Sequence, residues 1–564
     1  AEASTDEWVA FCNLIGGRYG MSPEEDGELL AGQRLGQGAG PWVAVWQRYQ
    51  EAPEAYPNLP DLLRRARPQQ RTLFEPPSPY WPQDNDSAEA ELRERLSALA
   101  SRYPDDARAA ILELEEEHGA RRAWVWAKMG KAPLAQALQH LAQLAAATET
   151  ALGGPTADAI AEAYAAWGWQ ADAAVIEALA CVEAAADVGA VRDAIVLVYR
   201  PWLDQAATAF QQAVLPNPIA NYQVPTPDAP TPGTCILFSD ALRYDVAQRL
   251  TQALVRHGII PATGWRLAAL PTVTSTTKPA LVPLGDAIAA GAPGLNPVSA
   301  ESGAPLTADG MRKLLRAAGY QVLTGDEMGD PSGIAWTEIG AIDQYGHGHG
   351  WRVASHLFSE LRAIEGRIVA LLDAGWKRVE VVTDHGWLLL PGGLPKVELA
   401  QQLTLERKGR CAVLKEGATT DQPIVPWYWD RDVSIAMAPG IACYEAGHEY
   451  EHGGLSPQEC VVPVLCVALS ADRDRPRVEI KKVSWRGLRC VVEVGGTVPG
   501  LLIDIRTKAA DPATSLAERP KAPDADGVAS LPVPDDDREG EAAVVVVYME
   551  DGAVLAQDHT TIGG

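Results

Sequence analysis

The sequence predicts a multidomain α/β protein in which a core with a mostly parallel sheet is preceded by an α-helical region and followed by a small β-sandwich. Three observations carry that expectation. Between residues 234 and 470, strand-like apolar runs alternate with helical patterns, the order that builds a parallel sheet covered by helices on both faces. From Ser87 to Leu215 the chain is rich in Ala and Leu at helical spacing, as in APLAQALQHLAQLAAAT. From about residue 475 it changes to short alternating runs separated by Pro, Gly and Asp, the pattern of antiparallel strands.

Taken in order, residues 1–86 are mixed in pattern and receive weak helical expectations, with a turn-rich patch at EPPSPYWPQDND. The first residue is not Met, and this segment is read as part of a larger truncated region. Residues 87–222 form the expected helical domain. Six prolines between Pro216 and Pro232 cannot continue a helix, and they mark the clearest boundary. Residues 223–470 hold the α/β core, with CILFS and RVEVVT as strands and DVAQRLTQALVRHG and SHLFSELRAIEGRIVALLDAGW as helices. Residues 471–564 supply the β-sandwich through RVEIKKVSW, LRCVVEVGG, GLLIDIRT, EAAVVVVYME and GAVLAQDHT.

Composition narrows the function. The 564 residues carry a formal net charge of −26, which repels nucleic acid as a whole, so any such contact must be local. The N-terminus lacks the basic head and apolar run of a signal peptide, and no uninterrupted apolar stretch reaches membrane-span length. Eight scattered cysteines with no C-x-x-C pair fit a reducing cytoplasm. The tryptophans at 124, 126, 167 and 169 sit in helical contexts and are read as core packing.

The chemistry concentrates where three acidic residues follow three strand-like runs: Asp240 in CILFSDALRYD, Asp343 in WTEIGAIDQYGHGHG and Asp384 in VEVVTDHGW. Parallel sheets gather their chemistry at the carboxyl ends of strands, so the three should share one crevice. Six of the ten histidines lie between His347 and His452. His347 follows Asp343 at D-x-x-x-H spacing, His385 adjoins Asp384, and His452 opens HGGLSPQE. Carboxylate and imidazole together suit Zn²⁺ or Mn²⁺ better than Ca²⁺. Two such groups imply two divalent metal ions, Zn²⁺ first and Mn²⁺ second. The segment PTVTSTTKPAL supplies hydroxyls at Thr272, Thr274, Ser275, Thr276 and Thr277. A threonine hydroxyl becomes a competent nucleophile only beside an activating group such as a metal.

The ordered set Asp240, Thr274, Asp343, His347, Asp384, His385 and His452 resembles the two-metal core of the alkaline phosphatase superfamily in its phosphodiesterase-like branch. More narrowly, SDALRYDVA, PTVTSTTKPAL, TDHG and HEYEHGGLSPQECVVPV resemble the PglZ domain, and the flanking regions look like those of PglZ proteins of the BREX phage-defence system. The resemblance implies an alkaline-phosphatase-like core in which Asp343, His347 and His452 hold one metal. Asp240, Asp384, His385 and the nucleophile would hold the other. It aligns Thr274 with the nucleophile, with Thr272 and Thr276 as alternatives, and implies a phosphothreonyl intermediate that water hydrolyses.

The function so implied is a cytoplasmic phosphodiesterase or nuclease of phage defence. It would work on a nucleic acid or nucleotide with other BREX proteins, including the methyltransferase, as partners and no membrane. Phosphomonoesterase activity is the nearest rival. The other alternative is an assembly platform docking its partners through residues 1–215. Substrate contacts are expected from Arg243, which would otherwise pair with Asp245 or Glu451, from His349, and from Lys396 and Arg410 in the basic stretch up to Lys415. Glu398, Glu406 and Glu416 make a solvated loop an equal reading of that stretch. His356 is read as structural, and His448 and Glu451 as partners that orient His452.

Overall fold

The computed structural model describes residues 5–68, 77–256, 258–291, 294–468, 479–495, 501–509, 511–524, 527–549 and 554–563. The chain divides into two compact units, Ala1–Ala468 and Leu469–Gly564.

The first unit is organised by a six-stranded sheet. Its strands are β1 (Thr234–Phe238), β2 (Ala262–Leu267), β3 (Gln321–Leu323), β4 (Ile334–Glu338), β5 (Arg378–Val382) and β6 (Val461–Ala468), in the spatial order β2-β6-β5-β1-β4-β3. β1 runs parallel to β4 and β5, and β3 parallel to β4, whereas β6 is antiparallel to both its neighbours. Every residue of β1 is buried, as a central parallel strand with helices on both faces requires. That burial explains why TCILF reads as a continuous apolar run rather than an alternating one.

Helices flank this sheet. They include α1 (Trp169–Ala180), α2 (Ala185–Val214), α3 (Tyr244–Arg256), the single turn α4 (Thr274–Thr277), α5 (Ile342–His349) and α6 (Val353–Asp373). α2 buries Val191, Ala194, Val198, Trp202, Ala206 and Phe210, the three- and four-residue spacing that its Ala-rich sequence announced. It ends just before the proline-rich stretch that begins at Pro216. The helical region and the sheet belong to the same compact unit.

The N-terminal residues are more regular than their mixed composition suggests, with helices at Thr5–Tyr19, Pro23–Gln37, Trp42–Glu51 and Leu59–Ala66. The second has a sequence-encoded start: Ser22 accepts a hydrogen bond from the Glu25 amide and Pro23 occupies the first turn. These helices close over Leu35, Trp46, Tyr49, Leu63, Trp81 and Trp126, with Trp124 packed against them. Trp167 and Trp169 depart from the core-packing expectation. They are half-buried and line a surface groove with His140 and Arg249.

The second unit contains two three-stranded antiparallel sheets, one of Glu479–Arg486, Arg489–Gly495 and Val528–Pro532 and the other of Leu501–Arg506, Ala542–Met549 and Val554–Thr561. Alternate residues of both sheets, among them Cys490, Val492, Ile503, Ile505, Val545 and Val547, share one buried cluster. Smaller antiparallel sheets decorate the first unit, including the four-stranded one that spans 404–437.

Candidate metal centre

Five segments deliver side chains to one edge of the central sheet. Asp240 lies two residues beyond β1, and Asp384 and His385 lie just beyond β5. After β4 the chain turns into α5, whose first and second turns carry Asp343 and His347. The turn α4 follows β2 and begins at Thr274. His452 precedes β6, which starts at this edge because it runs antiparallel.

Two close approaches keep the edge compact. A Cβ at Gly386 would sit 2.0 Å from the Gln458 carbonyl oxygen, and one at Gly346 would sit 2.4 Å from the Tyr450 ring. Only glycine lets the His385 loop and α5 pack this tightly against the segment around His452. Ala241 has a φ of 57°, an uncommon conformation for a residue with a side chain. It lets the Ala241 amide turn toward the Asp384 Oδ1 (3.3 Å) while its carbonyl accepts from Trp387 Nε1 (2.9 Å).

Two groups of side chains could each hold a cation: Asp343, His347 and His452, and Asp240, Asp343 and His385, with ligand atoms in each group within 4.8 Å of one another. Asp343 belongs to both. In the first group, His452 Nε2 and His347 Nε2 approach to 3.1 Å, and each is 3.5 Å from Asp343 Oδ1. In the second, His385 Nε2 lies 3.7 Å from Asp240 Oδ1, and Asp384, outside that group, brings its Oδ2 to 3.4 Å from the same nitrogen. The rings of His385 and His452 stack, with centroids 3.8 Å apart.

Backbone carbonyls orient both imidazoles. His452 Nδ1 lies 2.8 Å from the Thr272 oxygen and His385 Nδ1 lies 3.0 Å from the Gly386 oxygen. Each Nδ1 must therefore carry the proton and donate it, which turns an Nε2 lone pair toward the crevice, as in metal-ligating histidines. Burial and the His385 ring lower the His452 pKa to about 4, so its ring is neutral at ordinary pH. Asp343 is pushed up by burial, but the imidazoles of His452, His385 and His347 outweigh this and hold it below the usual carboxylate range. Tyr450 donates a further hydrogen bond to Asp343 Oδ1 at 3.1 Å.

The remaining carboxylates lack such support. Asp240 Oδ1 and Asp384 Oδ2 are buried with no hydrogen-bond partner. Burial and the Asp384 charge push the Asp240 carboxyl well above its ordinary range. Burial raises Asp384 to about 6, against a favourable hydrogen bond from the Ala241 amide. Buried carboxylate oxygens without a hydrogen-bond partner are costly unless a cation joins them. The donor set and the orphaned oxygens therefore fit divalent metal ions.

The threonine cluster separates by position. Thr272 donates to the Gly454 carbonyl (2.9 Å) and accepts from the Gly453 amide (3.1 Å). Thr276 accepts from Trp427 Nε1 (2.9 Å), Ser275 donates to the Leu295 carbonyl (3.0 Å) and Thr277 donates to the Val273 carbonyl (2.8 Å). Thr274 Oγ1 instead lies 3.1 Å from His385 Nε2, at the mouth of the second cation group.

The expected substrate contacts fare differently. Arg243 is 1% exposed, and both its Nε and Nη2 donate to Asp245 (2.6 and 2.8 Å) while its guanidinium lies 3.7 Å from the Trp387 ring centroid. It is a structural ion pair with no face left for a phosphate, which corrects the substrate reading. Arg410 is fully buried against Glu459 (2.8 and 3.0 Å) and donates to the Ala442 and Gly440 carbonyls. It too is removed from the substrate-binding set. Lys396 is exposed and paired with Glu398 at 2.5 Å. His349 is exposed and stacks on Tyr345, with ring centroids 4.2 Å apart, and Tyr345 also stacks on His356 at 3.9 Å.

Sequence reasoning passed over Lys278 and Glu338. Lys278 lies one helical turn beyond Thr274, since its amide donates to the Thr274 carbonyl at 3.0 Å. Its ammonium is 2.8 Å from Glu338 Oε2 and 4.2 Å from the Phe238 ring centroid. The i, i+4 spacing from Thr274 was the available signal.

No protein-family model matches the chain, and no curated protein does. Among solved structures the chain is similar to murine ectonucleotide pyrophosphatase / phosphodiesterase 5, at 11% identity and a TM-score of 0.29, over 42% of this chain and 87% of that one. It is similar to the inactive threonine-to-alanine variant of that protein in complex with AMP at 11% identity and a TM-score of 0.28, over the same shares. Both likenesses are weak.

Proposed function

We propose that the crevice is the active site of a two-metal phosphoryl hydrolase acting on phosphodiesters, in the manner implied by the resemblance to the PglZ domain and the alkaline phosphatase superfamily. The observation that supports it most is the placement of Thr274 Oγ1 at 3.1 Å from His385 Nε2, beside the unpartnered oxygens of Asp240 and Asp384. Asp343, His347 and His452 would hold one divalent cation, and Asp240, Asp384, His385 and Thr274 the other, with Zn²⁺ preferred and Mn²⁺ second for a mixed carboxylate and imidazole set. Bound there, the pair would lower the pKa of the Thr274 hydroxyl and offset charge on the phosphoryl oxygens.

In this reading Thr274 gives its hydroxyl proton to solvent and attacks phosphorus, its oxygen forms the new P–O bond, and the ester oxygen leaves with the electron pair of the broken P–O bond and takes up a proton from water. Water then hydrolyses the phosphothreonyl group and restores the hydroxyl. His385 Nδ1 stays fixed on the Gly386 carbonyl, so its Nε2 keeps facing Thr274 throughout. The biological setting proposed is BREX-type phage defence in the cytoplasm, beside other proteins of that system.

The test is hydrolysis of bis-p-nitrophenyl phosphate and p-nitrophenyl phosphate by Zn²⁺- or Mn²⁺-loaded protein. Diester turnover that disappears in Thr274→Ala while bound metal is retained is the expected result. Absence of turnover of either ester by metal-replete protein would overturn it. A second reading, a platform that docks other defence proteins, is favoured by one feature. The helix Thr5–Tyr19 leaves Trp8, Val9, Phe11 and Leu14 between 41% and 60% exposed.

A further inference from the structure

Lys278 and Glu338 form an ion pair at the crevice that none of the roles above uses. The pair sits where β1 and β4 end, because Phe238 and Glu338 are register partners and the Lys278 ammonium lies over the Phe238 ring. Its side chains are 17% and 29% exposed, so solvent reaches the pair. Trp336 Nε1 donates to Glu338 Oε1 at 3.0 Å and fixes the carboxylate, leaving Oε2 for the ammonium. The Lys278 charge acts favourably on both Asp240 and Asp384. An ammonium has three donors, and Glu338 takes one.

Charge counting then bears on the substrate. Asp240, Asp343, Asp384 and Glu338 carry four negative charges, and imidazoles bind metal in their neutral form. Two divalent cations and the Lys278 ammonium exceed the four carboxylates by a single positive charge. A phosphodiester monoanion matches that excess, whereas a monoester dianion leaves the crevice negative. Without Glu338 the excess would be two, which matches a monoester dianion.

Resting on the phosphoryl-hydrolase reading, we infer that Lys278 contacts a nonbridging oxygen of the bound phosphoryl group, and that its pairing with Glu338 selects phosphodiester monoanions over monoester dianions. Glu338 is then a specificity-determining residue although it belongs to neither metal-binding group and touches no reacting atom. Lys278 is the group that touches substrate.

The test uses the full chain carrying Thr274→Ala, loaded with Mn²⁺ or Zn²⁺, so that binding is read without turnover. Calorimetric titration with dimethyl phosphate and methyl phosphate compares the monoanion with the dianion. Adding Glu338→Gln is expected to tighten methyl phosphate by roughly tenfold more than dimethyl phosphate. Adding Lys278→Met is expected to weaken both by roughly tenfold, with metal content unchanged. An equal change for both anions in Glu338→Gln, or unaltered binding in Lys278→Met, would overturn the inference. Binding of neither anion by the metal-replete parent would overturn the phosphoryl reading and this inference with it, and the parent titration alone reveals that case.

Discussion

Replacing Asp384 by Asn separates what the crevice needs with metal from what it tolerates without. In the metal-free protein Asp384 is buried and burial raises its pKa from 3.8 to about 6. That gap corresponds to about 3 kcal/mol, an order-of-magnitude figure shared with the neighbouring Asp240. Because the folded-state pKa is the higher one, the folded protein binds this proton more tightly than the unfolded chain. The cost is absent below about pH 4, grows as pH rises, and is complete above about pH 6. Metal-free wild type should therefore lose stability across that window. A salt-bridged carboxylate would behave in the opposite sense. Asparagine keeps an oxygen for the Ala241 amide, places an uncharged amide where Oδ2 has no partner, and removes the ionisation.

In EDTA above about pH 7, Asp384→Asn is expected to raise Tm by about 3–6 °C, taking about 1–2 °C per kcal/mol for a unit of this size. With Zn²⁺ or Mn²⁺ at a thousand times the wild-type Kd the order should reverse, because wild type gains about 4.1 kcal/mol, more than that gap, and a variant whose site no longer holds the cation gains almost none. Differential scanning calorimetry of both proteins with and without metal reads the crossing directly. A variant that is destabilised equally in EDTA and in metal would refute the reasoning, since it would make Asp384 an ordinary structural carboxylate.

Other outcomes follow from the same geometry. Arg243→Leu strands Asp245 in the interior and should cost about 3–5 kcal/mol, read as a lower denaturant midpoint with the unfolding slope retained. Gly386→Ala drives a methyl to within 2.0 Å of the Gln458 carbonyl; the displaced His385 should show as a loss of bound metal measured by atomic absorption. Lys396→Ala alters an exposed pair with Glu398, worth at most about 1 kcal/mol, and should leave both ester turnover and Tm within error.

The strand ends that matter were legible because a buried parallel strand declares itself as an unbroken apolar run. TCILF did so, RVEVV alternates around Glu380, and Asp240, Asp384 and His385 lie two or three residues past the strand ends, after Ser239 and Thr383. Sequence order could not tell which threonine faces the crevice. Thr272, Thr274 and Thr276 are equivalent on paper, and only the tertiary partners, a Gly454 carbonyl, His385 and Trp427, separate them. Arg243 and Arg410 misled for a related reason. A basic residue near catalytic motifs looks the same in one dimension whether it meets a phosphate or a buried carboxylate, and Asp245 and Glu459 decide the matter through burial. The N-terminal helices were underestimated because their packing face is built from well-spaced aromatics such as Trp46, Tyr49 and Trp81 rather than a regular leucine stripe.

Gln211, near the end of α2, donates to the carbonyls of Ala438, Gly440 and Leu455 and accepts from the Gly440 amide. Asp204 on the same helix accepts from the Ile441 amide at 3.2 Å. The proline-rich stretch after α2 therefore looks like a place to cut but is not one. A truncation at residue 215 would take these partners from the Ala438 and Leu455 carbonyls and from the Gly440 and Ile441 amides, with Leu455 three residues from His452. Recombining this helical region with a different catalytic core would require residues 438–455 to travel with it, and a shortened chain that fails to bind a partner would report collapse of that loop before it reported a lost docking surface.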